Sequence, residues 1–162
     1  MKLEHINLLI VDDEKDFLTS ISRSLELRGM QVHCAARGDA AIEIARKNLI
    51  DIALVDLKMP GMNGQQTLEA LKKEHPSMEI VILTGHGTID SAAACTRSGA
   101  YAYLQKPCEF EKLMETLVQA YKKRVMTKKQ IEEKKLDATL KISLGDSPRR
   151  ILEKLAQFDQ QE

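Results

Sequence analysis

Five polar residues of this 162-residue chain stand at the ends of short apolar runs, where their side chains could do chemistry together. Three carry carboxylates, one carries a hydroxyl group and one carries an ammonium group. A carboxylate can accept a phosphoryl group or bind a hard metal ion, and a hydroxyl or ammonium group can stabilise the charge of a transferred phosphoryl group. The five residues are Asp12, Asp13, Asp56, Thr84 and Lys106.

The apolar runs predict the elements that position these residues. Each run is short, aliphatic and bounded by turn-forming residues, which favours a β-strand buried on both faces. Between the runs, apolar residues recur at the spacing of amphipathic helices. The strands are predicted at residues 6–11, 30–36, 52–56, 79–84 and 101–104. The helices are predicted at residues 16–27, 39–49, 65–75, 88–98 and from residue 109 onward.

Strict alternation of strands with helices specifies an α/β fold, a doubly wound parallel sheet joined by right-handed crossovers. In such a sheet the carboxyl ends of the strands meet at one edge, so we expect the five polar residues to converge there. Three adjacent carboxylates repel one another unless a cation neutralises them, and Mg²⁺ is the natural candidate because it prefers oxygen ligands. Asp56 alone could be a strand cap, but its four companions favour a reactive carboxylate.

At these positions the chain resembles the receiver domains of two-component response regulators. The resemblance covers about residues 4–121 and rests on four motifs that occur in the family's order. It implies a flavodoxin-like (βα)5 sheet with the strand order 2-1-3-4-5, which the chemotaxis member of that family has. The motifs are Val11-Asp12-Asp13-Glu14, Val55-Asp56-Leu57-Lys58-Met59-Pro60-Gly61, Leu83-Thr84-Gly85 and Lys106-Pro107.

The resemblance also implies the chemistry of the site. Asp56 would accept a phosphoryl group from a sensor histidine kinase or a phosphotransfer protein. Mg²⁺ would be held by Asp12, Asp13 and Asp56 with the backbone carbonyl of Lys58. The chain would then be a signalling switch and not an enzyme, since it would support only its own phosphotransfer and autodephosphorylation.

Tyr103 matches the switch aromatic residue of the family. A phosphoryl group adds nearly two negative charges, and a shift of Thr84 toward it would open a space that admits the Tyr103 ring. Lys106 would supply a cation to the phosphoryl group, and its bond to Pro107 would be cis. The surface of helix four, strand five and helix five would then contact a downstream protein.

Lys58 and His86 occupy two positions that vary within the family and border the approach of the attacking water. We expect their bulk and charge to set the lifetime of the phosphoryl group. The alternative is that both are solvated residues at the rim of the site.

Residues 1–121 are predicted to form the receiver domain, and residues 122–162 a helical tail. Helix five continues into the tail without Gly or Pro until a break at Gly145-Asp146-Ser147-Pro148. A long isolated helix is marginally stable, so it pairs with a second chain or folds back. We therefore expect a homodimer formed through helix four, strand five, helix five and the tail. After the break a short amphipathic helix is predicted, with an apolar stripe of Ile151, Leu152, Leu155 and Phe158.

Composition narrows the class of protein further. Apolar residues make up 43% of the chain and charged residues 30%, values typical of globular proteins. The three cysteines are scattered, which favours a reducing compartment and disfavours disulfides or a zinc site. No apolar run approaches the length of a membrane span and no secretory leader opens the chain, so we expect a cytoplasmic protein without membrane contact.

Nucleic-acid binding is not favoured by the distribution of charge. Residues 1–121 carry 17 acidic and 13 basic residues, a net charge of −4, and residues 122–162 carry 7 and 11, a net charge of +4. Acidic residues interrupt the basic tail, whereas phosphate recognition favours clustered Lys and Arg.

Two alternatives remain at this point. The loop Thr84-Gly85-His86-Gly87 is most similar to receivers of nitrogen-regulator-type transcription activators, so the chain could be a receiver remnant or a fragment of such a DNA-binding activator. The phosphate-binding motif and the DNA-reading helices of those proteins do not occur in this sequence. An enzyme on the same fold, such as a flavin protein or a phosphatase, is disfavoured by the Asp-rich first turn and by Lys58, where the phosphatase pattern has Asp.

Overall fold

A computed structural model describes residues 3–144 and shows a five-stranded parallel sheet in the order β2-β1-β3-β4-β5. Strands and helices alternate along the chain, which confirms the predicted doubly wound, flavodoxin-like fold. The strands are β1 (Asn7–Val11), β2 (Gln31–Ala35), β3 (Ile52–Val55), β4 (Glu79–Thr84) and β5 (Ala102–Gln105). The helices are α1 (Lys15–Glu26), α2 (Gly38–Lys47), α3 (Gly64–Glu74), α4 (Ile89–Arg97) and α5 (Phe110–Leu144).

Both faces of the sheet are buried, and successive residues of each central strand point to opposite cores. One core contains Leu9, Val11 and Val55, together with residues of α2, α3 and α4. The other core contains residues of α1 and α5, with Ile10 and Leu54 from the sheet. This burial explains why the strands are continuous apolar runs without alternating polar residues.

The register of the strands places their carboxyl ends together. Val11 at the end of β1 pairs with Val55 at the end of β3, and Val55 pairs with Ile82 in β4. Thr84, the last residue of β4, pairs with Gln105, the last residue of β5. The polar residues that follow these strands are therefore presented at one edge of the sheet, here called the carboxyl edge.

The predicted bounds of the elements agree with the structure to within two residues at most ends. The predicted strand at residues 101–104 is shifted by one residue, because the hydrogen-bonded ladder with β4 runs from Ala102 to Gln105. The predicted helix at residues 39–49 begins at Gly38 and ends at Lys47, and Asn48 has an extended backbone. Propensity and periodicity locate an element along the chain, but its last residue depends on backbone hydrogen bonds that form only in the folded structure.

Residues 1–125 form one compact unit, and residues 126–162 form a second unit. In the second unit, α5 continues as far as Leu144 and exposes most of its side chains, including Leu136 and Ile142. The predicted break at Gly145–Pro148 and the amphipathic helix after it lie outside the described residues. The predicted division at residue 121 stays a prediction. No helix among residues 3–144 is long and apolar enough to cross a membrane.

Candidate functional site

Three carboxylates converge at the carboxyl edge. Asp12 and Asp13 directly follow β1, and Asp56 directly follows β3, the strand that pairs with β1. One oxygen from each carboxylate lies within 4.8 Å of the others. Asp12 and Asp56 are buried, whereas Asp13 is exposed. The structure thus brings together the acidic residues that the sequence predicted for one site.

Asp12 is held by two donors. Its Oδ1 accepts the backbone N–H of Glu14 at 2.9 Å, and its Oδ2 accepts the Lys106 ammonium at 2.6 Å. Burial raises the pKa of Asp12, because it removes water from the ionised form. The two hydrogen bonds oppose that shift, and the neighbouring Asp56 charge adds to it. The partners of Asp12 thus favour its ionised form, whereas its burial disfavours that form.

Asp56 has one oxygen occupied and one oxygen available. Its Oδ1 accepts the backbone N–H of Leu57 at 2.8 Å. No group among residues 3–144 donates a hydrogen bond to its Oδ2. The backbone N–H of Asp56 donates to the carbonyl of Val11 at 2.9 Å, which extends the β1–β3 ladder to the site. The Asp56 carboxylate is thus fixed by the sheet with one oxygen left for a ligand.

The loop after Asp56 is folded tightly against it. Gly64 donates its backbone N–H to the carbonyl of Leu57 at 2.9 Å. A Cβ atom added at Gly64 would overlap the Asp56 carbonyl oxygen and lie 2.6 Å from Cα of Leu57. Only glycine permits so close an approach of two backbone segments. The start of α3, capped by Asn63, therefore fixes the path of the loop beside the carboxylates.

Lys106 lies between a carboxylate and an aromatic ring. Its Nζ atom is 2.6 Å from Asp12 Oδ2 and 3.8 Å from the centroid of the Phe17 ring. A cation over a ring face is attracted by the negative face of the ring. The sequence placed Phe17 only within the predicted helix at residues 16–27 and did not indicate this contact. The spacing of Phe17 four residues after Asp13 was the available signal, since it puts the ring one helical turn from the site.

Thr84 is completely buried at the end of β4, and its hydroxyl oxygen accepts the backbone N–H of His86 at 3.1 Å. Its carbonyl accepts the backbone N–H of Lys106 at 2.9 Å, so these two residues are held side by side. The peptide bond between Lys106 and Pro107 is cis, as the family resemblance implied. Thr84 and Lys106 are thus presented at the same edge as the carboxylates.

Lys58 and His86 have exposed side chains on the wall of one open cavity of about 300 Å³. The cavity lies between the loop after β3 and the loop after β4, and Met59, Gln65 and Ser91 also line it. The two residues are therefore neighbours of the site and not members of its carboxylate cluster.

Tyr103 lies half-buried in β5, and its ring packs against the core that contains α4. Its hydroxyl oxygen is 3.1 Å from Oγ of Ser91 in the first turn of α4. The predicted switch residue is therefore directed toward α4, on the side of the sheet where the loop after Thr84 lies.

The donor set at the carboxyl edge suits Mg²⁺. Asp12, Asp13 and Asp56 each offer an oxygen atom within 4.8 Å of the others, and among residues 3–144 Lys106 is the one cation paired with this cluster, through Asp12. Mg²⁺ prefers oxygen ligands and typically uses one or two carboxylates with waters and a phosphate oxygen. The chemistry of these residues therefore fits a magnesium ion better than a softer metal.

Comparison with known proteins agrees with this geometry. The family model of the response regulator receiver domain matches residues 8–118. Over 148 residues, the chain is 33% identical to the transcriptional regulatory protein ZraR of Klebsiella oxytoca. That similarity covers 91% of this chain but only 33% of ZraR, so the chain spans about a third of the length of that relative.

Solved structures show the same fold. The receiver domain protein of Methanospirillum hungatei, which is CheY-like, matches with a TM-score of 0.73 and 29% identity. The match covers 75% of this chain and 98% of that one. The beryllofluoride-activated NtrC4 receiver domain dimer matches with a TM-score of 0.69 and 28% identity, over 73% of this chain and 98% of that one. The chain therefore belongs to the family of response regulator receiver domains.

Proposed function

We propose that the chain is the phosphoacceptor switch of a two-component system and that Asp56 receives the phosphoryl group. The observation that carries this proposal is the buried Asp56, whose Oδ2 has no hydrogen-bond donor among residues 3–144 although its Oδ1 has one. A buried carboxylate with a free oxygen, beside two other carboxylates and a lysine, suits an acceptor better than a structural residue.

In the proposed reaction, Asp56 Oδ2 attacks the phosphorus atom of a phosphohistidine on a sensor kinase or a phosphotransfer protein. An oxygen–phosphorus bond forms, the phosphorus–nitrogen bond breaks, and the electron pair of that bond returns to the histidine ring. Lys106 lies where its ammonium can pair with a phosphoryl oxygen, since its Nζ already contacts the carboxylate cluster. Thr84 can donate its hydroxyl proton, because that oxygen accepts only the amide of His86.

Asp12, Asp13, Asp56 and the backbone carbonyl of Lys58 would hold Mg²⁺. When bound, the ion would neutralise the carboxylates and a phosphoryl oxygen. The protein's own contribution is orientation, because the loop anchored at Gly64 fixes Asp56 before any donor arrives.

A shift of Thr84 toward the phosphoryl group would disturb the loop that begins at Gly85 and leads into α4. We propose that Tyr103 and the surface of α4, β5 and α5 read this change for a downstream protein. The contact of the Tyr103 hydroxyl with α4 supports this readout. The chain would act in this way as a switch and not as an enzyme, in the cytoplasm where a histidine kinase presents its phosphoryl group.

Lys58 and His86 are proposed to tune the lifetime of the aspartyl phosphate. Both line the open cavity between the two loops that border the site, where water has access. Replacing both residues by Ala would change the rate of dephosphorylation, measured by the decay of the labelled protein. An unchanged rate would leave them as solvated rim residues.

A homodimer through α4, β5, α5 and the tail is part of the proposal. The related NtrC4 receiver is a dimer in its beryllofluoride-activated state. This chain exposes Ile89 at the start of α4, and Met126, Leu136 and Ile142 along α5. Light scattering of the full chain with Mg²⁺, before and after addition of beryllofluoride, should show a larger mass after addition.

The direct test of the acceptor is chemical mapping. The protein is treated with Mg²⁺ and a small acyl phosphate, and the product is reduced with borohydride, which converts an aspartyl phosphate to homoserine. Peptide sequencing should find homoserine at position 56. Homoserine at position 12 or 13 would show that another carboxylate of the cluster is the acceptor.

A second candidate function rests on the similarity to ZraR, which covers 91% of this chain and thus reaches into the tail. The chain would then be the receiver and linker part of a nitrogen-regulator-type transcription activator. Mixing the full chain with the separate ATPase domain of such an activator, before and after treatment with Mg²⁺ and a small acyl phosphate, tests this candidate. Binding that changes on phosphorylation and not in Asp56→Asn would favour it, and no binding in either state would count against it.

A further inference from the structure

A side-chain hydrogen bond connects the first turn of α4 to β5. Oγ of Ser91 lies 3.1 Å from the hydroxyl oxygen of Tyr103. Ser91 also closes the capping box of α4 with Thr88. In that box the backbone N–H of Ser91 donates to Thr88 Oγ1 at 3.1 Å, and the backbone N–H of Thr88 donates to Ser91 Oγ at 2.8 Å.

The direction of the hydrogen bond follows from the capacity of the serine hydroxyl. A hydroxyl group has one proton to donate and two lone pairs to accept with. Ser91 Oγ donates its proton to the carbonyl of Thr88 at 2.9 Å and accepts the N–H of Thr88 with one lone pair. One lone pair remains, so Tyr103 is the donor. The hydroxyl of Ser91 is then fully used, and the cap needs nothing from Tyr103.

The tyrosine ring occupies its position because residue 87 is glycine. A Cβ atom added at Gly87 would overlap the Tyr103 hydroxyl and lie 2.8 Å from Cζ of the ring. Gly85, two residues earlier in the same loop, has no such neighbour, since an added Cβ would find Cβ of Lys106 at 3.9 Å. The loop between Thr84 and α4 is therefore open at position 87 specifically for the ring.

We propose that Ser91 and Gly87 are positioning residues for Tyr103, with Gly87 providing the seat of the ring and Ser91 tethering the ring to the first turn of α4. The inference rests on the proposed function in one respect, since phosphorylation at Asp56 is the event that would move Thr84 and the loop. Release of the ring removes the tether and leaves the helix cap intact. Phosphorylation then changes the attachment of α4 to β5 and does not unwind the helix.

A double-mutant cycle tests the tether without any phosphorylation. The unfolding equilibrium is measured for Tyr103→Phe, Ser91→Ala and the double variant of the full chain, so that the cost of the lost cap cancels. One net hydrogen bond predicts a coupling of about five-fold in the unfolding equilibrium constant. Ser91→Thr, which keeps the hydroxyl, should restore the coupling. If the effects of the two single substitutions on the unfolding equilibrium constant simply multiply in the double variant, Ser91 and Tyr103 do not interact and the proposed tether is wrong.

Thr96 provides the matched control, because it lies on the same helix and its hydroxyl donates to the carbonyl of Ala92 at 2.9 Å, away from Tyr103. The cycle of Tyr103→Phe with Thr96→Ala should show no coupling. Coupling of equal size in both cycles would mean that the effect belongs to helix stability in general and not to Ser91.

The role of Gly87 in making room for the Tyr103 ring is tested by measuring where the ring lies. The chain is labelled with 3-fluorotyrosine, and the Tyr103 resonance is identified among Tyr101, Tyr103 and Tyr121 by its loss in Tyr103→Phe. In Gly87→Ala the resonance should move toward that of free fluorotyrosine and broaden with a soluble paramagnetic agent, whereas Gly85→Ala should leave it unchanged. If the Tyr103 resonance does not move in Gly87→Ala, the ring does not depend on glycine at position 87 and this part of the proposal is wrong.

Addition of Mg²⁺ and a small acyl phosphate to the labelled wild-type chain then separates the two proposals. A shift of the Tyr103 resonance that is absent in Asp56→Asn supports both. Coupling between Tyr103 and Ser91 in a chain that takes no phosphoryl group would overturn the proposed function and leave the tether standing. Phosphorylation of a chain in which Tyr103 and Ser91 show no coupling would overturn the tether and leave the proposed function standing.

Discussion

The two edges of the sheet both bury carboxylates, but they treat the charges differently. At the carboxyl edge, Asp12, Asp13 and Asp56 lie together, and among residues 3–144 only Asp12 forms an ion pair, with Lys106. At the opposite edge, where the strands begin, the buried carboxylates of Asp51 and Glu79 are surrounded by three cations.

Each carboxylate at this amino edge has its own partners. Nε of Arg124 lies 2.7 Å from Asp51 Oδ1, without the alignment of a hydrogen bond, and Asp51 Oδ2 accepts the backbone N–H of Asn7 at 2.9 Å. Oε2 of Glu79 lies 3.3 Å from Nζ of Lys123 and 3.9 Å from Nζ of Lys72. Burial lowers the pKa of Lys72, and the charge of Glu79 opposes that shift. The amino edge thus neutralises its charges with groups of the chain itself.

The two edges differ in the way that a structural charge cluster differs from a ligand site. Buried carboxylates that each have a cationic partner within the fold serve packing, whereas carboxylates that outnumber their cationic partners favour a cation from outside. At the carboxyl edge, three carboxylates and one ammonium group leave an excess of negative charge, which suits a bound cation.

Removing a partner at the amino edge should have the largest effect on stability. Arg124→Met leaves Asp51 buried without its cation, and the loss of one partner of a buried pair costs about 3–5 kcal/mol in the free energy of unfolding. Urea denaturation measures this cost. Lys123→Met is the control: its side chain is 54% exposed and Glu79 retains Lys72, so a loss below about 1 kcal/mol is expected. Equal losses in the two variants would contradict the division between matched and unmatched charge.

Removing a charge at the carboxyl edge should instead increase the free energy of unfolding. The raised pKa of Asp12 means that the folded protein binds a proton at this site more tightly than the unfolded chain does. Its ionisation therefore costs stability as the pH rises above the ordinary value of 3.8, and full stability belongs to lower pH. Asp12→Asn should therefore be more stable than the wild type at pH 7, because the amide has no charge to bury.

The gain in Asp12→Asn should fade as the pH falls toward that ordinary value, because the wild-type carboxyl then becomes neutral too. The measurement is urea denaturation with EDTA at several pH values, and Asp51→Asn is the matched variant at the other edge. Asp51→Asn should lose stability at pH 7, since it leaves Arg124 unpaired. A loss of stability in Asp12→Asn at neutral pH would count against the excess of negative charge at the carboxyl edge.

A smaller effect is expected from the aromatic ring that lies against Lys106. A cation–π contact contributes about 1 kcal/mol in a partly buried place, so Phe17→Leu should slow phosphorylation by about five-fold. The rate is measured with a small acyl phosphate and saturating Mg²⁺. Phe17→Tyr keeps the ring face and should keep the rate, and a similar loss in Phe17→Tyr would show that packing matters and the ring face does not.

Much of this arrangement could be predicted from the sequence, and the reason is topological. Asp12, Asp56, Thr84 and Lys106 each follow or end a strand, and a parallel sheet gathers strand ends whatever the details of packing. Contacts between side chains distant in the sequence were not predictable in the same way. Phe17 against Lys106, Arg124 against Asp51, and Ser91 against Tyr103 depend on helix rotation and side-chain conformation, which periodicity does not specify.

In the proposed function, Asp56 in the unmatched cluster accepts a phosphoryl group and the matched carboxylates Asp51 and Glu79 do not. Intact mass measurement after incubation with Mg²⁺ and a small acyl phosphate tests it directly, since one phosphoryl group adds about 80 Da. We expect the adduct in the wild type and in Lys123→Met, which weakens the amino edge least, and its loss in Asp56→Asn and with EDTA. An adduct that persists in Asp56→Asn, or that never forms in the wild type, would show that Asp56 is not the acceptor.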